Sequence, residues 1–91
     1  MKITYNMIQI LPDGKENIIR EDKYPTLDRY QKLVGGYIER VVCKYKGKRC
    51  EMLINEEGKL HQLPFNAKAS EYASPHDIVG DAVVLFNFNL Q

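Results

Sequence analysis

Four cations crowd one short stretch of the sequence: Lys44, Lys46, Lys48 and Arg49, with Tyr45 between the first two. Basic side chains at this spacing attract phosphate, and an interleaved tyrosine can stack on a base. The same charges on a hairpin turn would also keep strand edges from pairing with other chains. Both readings stand at this point. Tyr37, Glu39 and Arg40, just upstream, extend the candidate ligand-binding set. Asn66 joins it for a different reason. It precedes a short helical stretch, and free N–H groups at a helix start attract anions. A plain N-cap is the alternative, since every helix start needs partners for its N–H groups.

Other chemistries find less to work with. His61, His76, Cys43 and Cys50 have none of the spacings that hold zinc, so no metal or other cofactor is expected. Glu56 and Glu57 are adjacent on a turn and diverge into water, which does not suit acid–base catalysis. A nucleophile elbow of the form G-x-S-x-G is absent from the sequence. Gly35-Gly36 follows a helix, whereas phosphate-cradling glycines precede one. The expectation is a binding protein and not an enzyme.

These residues must be positioned by a small fold. The chain has 91 residues, enough for one domain spanning 1–91 with a single modest core. At 44% hydrophobic, 27% charged and net charge +1, it carries no strong overall field. Generic nucleic-acid binding through bulk charge is therefore disfavoured, and only a local patch could serve. No apolar run is long enough to cross a membrane, and Lys2, Thr4 and Asn6 interrupt any leader-like stretch. A cytoplasmic location is expected, with Cys43 and Cys50 as reduced thiols facing each other across a hairpin.

Periodicity places the elements. Met1 to Leu11 alternates as a strand, but the apolar phase shifts at Met7-Ile8. A bulge there, or burial on both faces, would account for the shift. Pro12-Asp13-Gly14 is a turn, and Lys15 to Arg20 returns from it. Thr26 caps a helix whose buried stripe is Leu27, Tyr30, Gln31 and Val34, flanked by Leu33, and Gly35 ends it. Tyr37 to Tyr45 alternates again: Tyr37, Val41, Cys43 and Tyr45 share one face with Glu39. That misplaced carboxylate is read as a strand-end residue in water, because a buried unpaired one is costly. Arg49 to Asn55 returns from the basic turn. Asn55-Glu56-Glu57-Gly58 turns next, with Gly58 at positive φ, and Lys59 to Leu63 pairs back. Pro64 breaks this strand. Asn66 caps a helix over Ala67 to Ala73, and Pro75 stops it. Ala82 to Phe88 is dense enough in apolar residues for a central strand. The result is an α+β fold, a mixed but mainly antiparallel sheet with two short helices, in the order β-β-α-β-β-β-α-β.

Several segments resemble a known family: P-T-L-D-R-Y-Q-K-L-V-G-G-Y-I-E (Pro25 to Glu39), N-E-E-G-K-L (Asn55 to Leu60), L-P-F-N-A-K-A (Leu63 to Ala69) and D-I-V-G-D-A-V-V (Asp77 to Val84). They look like a small domain of unknown function found in bacteriophages, prophages and mobile elements. The resemblance spans most of the chain after residue 24 and implies an accessory protein of the host cytoplasm, with no catalytic residues to carry over. It suggests a sponge that sequesters a nucleotide-derived host immune signal. A homo-oligomer is expected, because so small a chain has little room for an enclosed pocket. Direct binding to a host defence protein is the alternative, and nucleic-acid binding through the basic hairpin the third.

Overall fold

The computed structural model describes residues 4–86. Five strands and two helices follow in the order β1 (Tyr5–Ile10), β2 (Glu16–Glu21), α1 (Leu27–Val34), β3 (Ile38–Tyr45), β4 (Lys48–Asn55), α2 (Ala67–Tyr72) and β5 (Ala82–Val84). The strands form one sheet in the spatial order β2-β1-β5-β4-β3. All four pairings are antiparallel, so the sheet is not mixed. The chain makes two hairpins, β1–β2 and β3–β4, and β5 joins them. The apolar density of the last strand thus does mark the sheet centre, although β5 is only three residues long.

Each face of the sheet carries one helix. Met7, Leu53 and Val83 pack under Leu33 and Val34 of α1. Ile8, Ile10, Met52, Ala82 and Val84 pack under Ala69 and Ala73 at α2. The phase shift in β1 is therefore burial on both faces. The register from Tyr5↔Glu21 to Ile10↔Glu16 runs without a bulge. The buried stripe of α1 is Tyr30, Leu33 and Val34, at i, i+3 and i+4. Leu27 was expected there but is 59% exposed, because in the first turn of an eight-residue helix it lies beyond the sheet contact.

The caps are local and follow the sequence. Thr26 Oγ1 accepts the N–H of Arg29, and Gly35 ends α1 at φ 83°. Asn66 Oδ1 accepts the N–H of Ala69. Asn55 Oδ1 accepts the N–H of Glu57, two residues on. The expected strand over Lys59 to Leu63 does not form. Its N–H groups turn inward instead: His61 N–H donates to Glu57 O, Gln62 N–H to Lys59 O and Leu63 N–H to Gly58 O. Local bonds of this kind leave nothing for a ladder. Gly58 is not at positive φ. It is required for space, since a Cβ there would lie 2.9 Å from Val79 Cγ2 and 3.3 Å from Asn55 O. The expected last strand stops at Val84, Leu85 and Phe86 follow outside it, and positions 87 and 88 of that expectation lie outside the described residues.

Sheet twist produces one long-range clamp. Glu16 starts the outer strand β2 and Tyr45 ends the outer strand β3, so the two occupy diagonally opposite corners of the sheet. Strand twist lifts one diagonal pair of corners toward the same face. Here they meet over the α2 face. The Tyr45 hydroxyl donates to Glu16 Oε1 at 2.8 Å, and the Tyr72 hydroxyl donates to Oε2 at 2.7 Å. Lys68 Nζ adds an ion pair at 3.1 Å. Burial alone would raise the Glu16 pKa. The bonds from Tyr72, Tyr45 and Lys68 outweigh it and hold the carboxyl below its ordinary range.

Candidate functional site

The β3–β4 hairpin presents the basic cluster. Lys46 (φ 52°) and Gly47 (φ 78°) form its two-residue turn, and both backbones are left-handed as a tight hairpin of this length requires. Lys44 and Arg49 are direct cross-strand partners. Like charges facing each other across a pair destabilise it, and an anion between them would relieve that repulsion. Lys48 Nζ lies 5.6 Å from the centre of the Phe86 ring. Beside this turn is a recess of about 360 Å³ lined by Val42, Lys48, Arg49, Cys50, Glu51, Leu85 and Phe86. Its apolar floor and cationic rim suit a ligand with a planar body and an anionic group. Val42 is 50% exposed, an apolar residue among the charged ones of this hairpin. Glu51, the acidic group in the wall, is paired with Arg40 at 3.4 Å.

The expected site residues do not converge on one place. Lys48 and Arg49 line the recess, Lys44 faces Arg49, and Arg40 acts on the recess through Glu51. Lys46 is not in the recess lining, and its ammonium lies 5.5 Å from the Tyr45 ring centre. Tyr45 itself is 3% exposed. Its ring packs edge-on against Tyr72 and Phe86, and its hydroxyl is held by Glu16. Burial and that carboxylate push its pKa up to about 12. A ring so enclosed has no free face for a base, so Tyr45 is a core residue. Phe86 is the aromatic group at the recess.

Asn66 is likewise structural. It is fully buried, its carboxamide donating to Ile10 O at 2.9 Å and Gly80 O at 2.8 Å while Oδ1 caps α2. With every polar atom engaged, it has nothing left for an anion. Glu39 is exposed on the α2 face and lines a shallow depression of about 160 Å³ with Lys59, His76 and Asp77. Tyr37 is 64% exposed at the opposite end of β3 from the basic turn, in a separate cleft. Seven residue steps along β4 separate Asn55, in that cleft, from Lys48, about 23 Å at the usual strand rise.

Cys43 and Cys50 are direct partners in the register, and both are free and buried. Burial raises the Cys43 thiol to about 11, with the neighbouring Cys50 adding to the shift, and burial also raises Cys50. Both are poor nucleophiles at neutral pH.

The segments quoted above fall on the parts that fix this geometry: the α1 cap and the start of β3, the Asn55 turn, the Asn66 corner and the approach to β5. The family model described as "Domain of unknown function (DUF3846)" matches residues 6–88. The chain belongs to the DUF3846 family. No curated protein matches it. No solved structure matches it either. Of the recess residues, Val42, Glu51, Leu85 and Phe86 were not singled out by sequence reasoning. Val42 could have been found as an apolar residue between two basic ones on β3. Phe86 had no such signal, because its apolar run reads as buried strand throughout. Among the described residues no group of acids, histidines and cysteines could hold a metal ion, and no helix is long and apolar enough to cross a membrane.

Proposed function

We propose that this DUF3846 protein binds and sequesters a small nucleotide-derived signal in the recess beside the basic turn, without chemically altering it. The observation that carries the reading is the juxtaposition at that recess: Lys48 and Arg49 on the rim, the Lys44–Arg49 like-charge pair above, and the Phe86 ring with Val42 and Leu85 as an apolar floor. Phosphate would meet the cations and the base would lie against the ring. A binder is favoured over a catalyst because Cys50, the nucleophile in the wall, is held as a thiol by burial. The recess is open, and a second copy of the chain would close it over a ligand, so the functional form is a homo-oligomer. The resemblance to proteins of phages and mobile elements supplies the setting: interception of a host immune signal in the host cytoplasm.

The test is native mass spectrometry and calorimetry with a panel of cyclic and linear mono- and dinucleotides. Binding by one class is expected, weakened at least tenfold by Lys48→Glu with Arg49→Glu. Both positions are exposed, so the fold should survive. No adduct and no heat with any nucleotide would reject the reading.

A second reading has its own observation. β3 is an outer strand of the sheet and carries the exposed Val42, with the exposed Tyr37 just before its first residue. An open strand edge with apolar side chains is a docking surface for another protein. Capture of one host defence protein by the wild type, lost in Val42→Glu, would favour inhibition by direct contact. Binding of long nucleic acid with a steep salt dependence would favour the third alternative.

A further inference from the structure

A different cleft opens at the opposite end of the sheet from the basic turn. It has two lobes, of about 650 Å³ and about 240 Å³, which share Gly35, Asn55 and His61 as walls. The larger lobe falls within the range of small-molecule sites. Its apolar surface comes from Val34, Leu63 and Pro64, and its charged wall is Asp81. Among the described residues no hydrogen bond or ion pair reaches the Asp81 carboxylate. Burial raises its pKa, and the nearby Asp13 adds like-charge repulsion. The smaller lobe carries Glu57, with its carboxylate 3.3 Å from His61 Nε2, and the exposed Tyr37.

The carboxylates of this cleft face one histidine, His61, which lines both lobes. Among the described residues neither lobe has a lysine or arginine in its lining. Helix α1 ends at Val34 against the cleft, so the negative pole of its dipole faces it. Asn55, the wall common to both lobes, is committed elsewhere: its carboxamide donates to Val34 O and its Oδ1 caps Glu57. The groups facing the cleft are therefore the unpartnered Asp81 carboxylate, the Glu57 carboxylate with one oxygen turned to His61, a π face and an aliphatic floor. Carboxylates and a tyrosine face together attract ammonium and guanidinium groups, and the floor favours a methylene chain. A phosphate or a second carboxylate would be repelled.

We propose that this cleft is a second ligand site, taking a small aliphatic di- or polyamine with one ammonium at Asp81, its methylenes over Leu63 and Pro64, and a further ammonium toward Glu57 and Tyr37. The assignment is independent of the anion recess at the other end of the sheet, since the two share no residue.

The experiment is a two-dimensional amide NMR titration of the whole protein with cadaverine and spermidine at low salt, with 1,5-pentanediol as the uncharged control. Saturable shifts are expected at Gly35, Asn55, His61 and Gly80, with a Kd below about 1 mM for spermidine, and none with the diol. Asp81→Asn should weaken spermidine at least tenfold while Arg49→Glu leaves it unchanged. Asp81→Asn removes a like-charge contact, so it should fold. Its dispersed spectrum would verify that in the same experiment. Shifts confined to exposed carboxylates elsewhere, such as Glu71, would overturn the proposal, as would equal binding by Asp81→Asn. Binding of a lysine-rich peptide without binding of either free amine would overturn it as well.

Discussion

Replacing Glu16 by alanine would test the corner clamp. The carboxylate is mostly buried and accepts two tyrosine hydroxyls, at 2.8 and 2.7 Å, beside an ion pair with Lys68. A hydrogen bond to a charged group contributes about 1.5–3 kcal/mol net. The Lys68 pair is 42% exposed on the lysine side and adds well under about 1 kcal/mol. Tyr72 is only half-buried and can turn its hydroxyl to water, which returns part of one bond. Together these put Glu16→Ala at about 3 kcal/mol destabilised. For a domain of this size that is about 12–24 °C in melting temperature. Urea unfolding at pH 7 measures it, with an unchanged m-value showing that the denatured state is comparable.

The pH dependence checks the cause. The folded pKa of Glu16 lies below its ordinary value of 4.5. A depressed carboxyl contributes stability that is fully present above the unfolded pKa and is lost as pH falls through the folded one. Wild type and Glu16→Ala should therefore converge as pH falls from about 5 toward 3. Tyr72→Phe should cost about 1 kcal/mol and reduce the convergence in proportion. A loss under about 0.5 kcal/mol for Glu16→Ala at pH 7 would refute the reasoning, because it falls within the range of an ordinary surface substitution. So would a difference from wild type that stays constant with pH.

Three further outcomes follow from the same geometry. Asn66→Ala removes a cap worth about 1 kcal/mol and orphans the carbonyls of Ile10 and Gly80, so it should cost about 3 kcal/mol or more by urea midpoint. Asn66→Asp keeps the cap but sets a carboxylate oxygen against those carbonyls and should be no better. Ellman's reagent at pH 8 should react with Cys43 and Cys50 only as fast as the protein opens, and with both at once in denaturant; rapid reaction of the native protein would contradict their burial. Tyrosine absorbance at 295 nm should show Tyr30 and Tyr45 ionising near 12, each raised chiefly by burial. A raised pKa contributes stability that is present below the unfolded value of about 10 and is lost as pH rises through the folded one, so the protein should weaken between about pH 10 and 12.

The parts of the fold legible in the sequence are those decided within a few residues. Thr26, Gly35 and Asn66 act on backbone groups within one helical turn, and the Asn55 turn closes on Glu57. The two-sided burial of β1 showed as a broken alternation. The Lys59–Leu63 segment was misread because its pairing is decided by competition: local turn bonds take up the N–H groups of His61, Gln62 and Leu63 that a ladder would need. The role of Asn66 lay hidden because Ile10 O is 56 residues away. Tyr45 shows the limit for sites. The alternation of β3 already put it with Val41 and Cys43 on the apolar face, yet its setting among lysines suggested stacking. The clefts were not legible, because Asp81, Asn55 and Gly35 come together only through the sheet order.

The central place of β5 bears on how the chain is made. Both hairpins lie upstream of it, and each can form from neighbours in sequence as the nascent chain leaves the ribosome. Until Ala82–Val84 emerges, β1 and β4 each present an open apolar edge with no partner. A two-stranded hairpin is marginal on its own, so the sheet holds together only once these three residues bridge its halves, and a chain without them exposes strand edges open to chaperones or to exchange with a neighbouring copy.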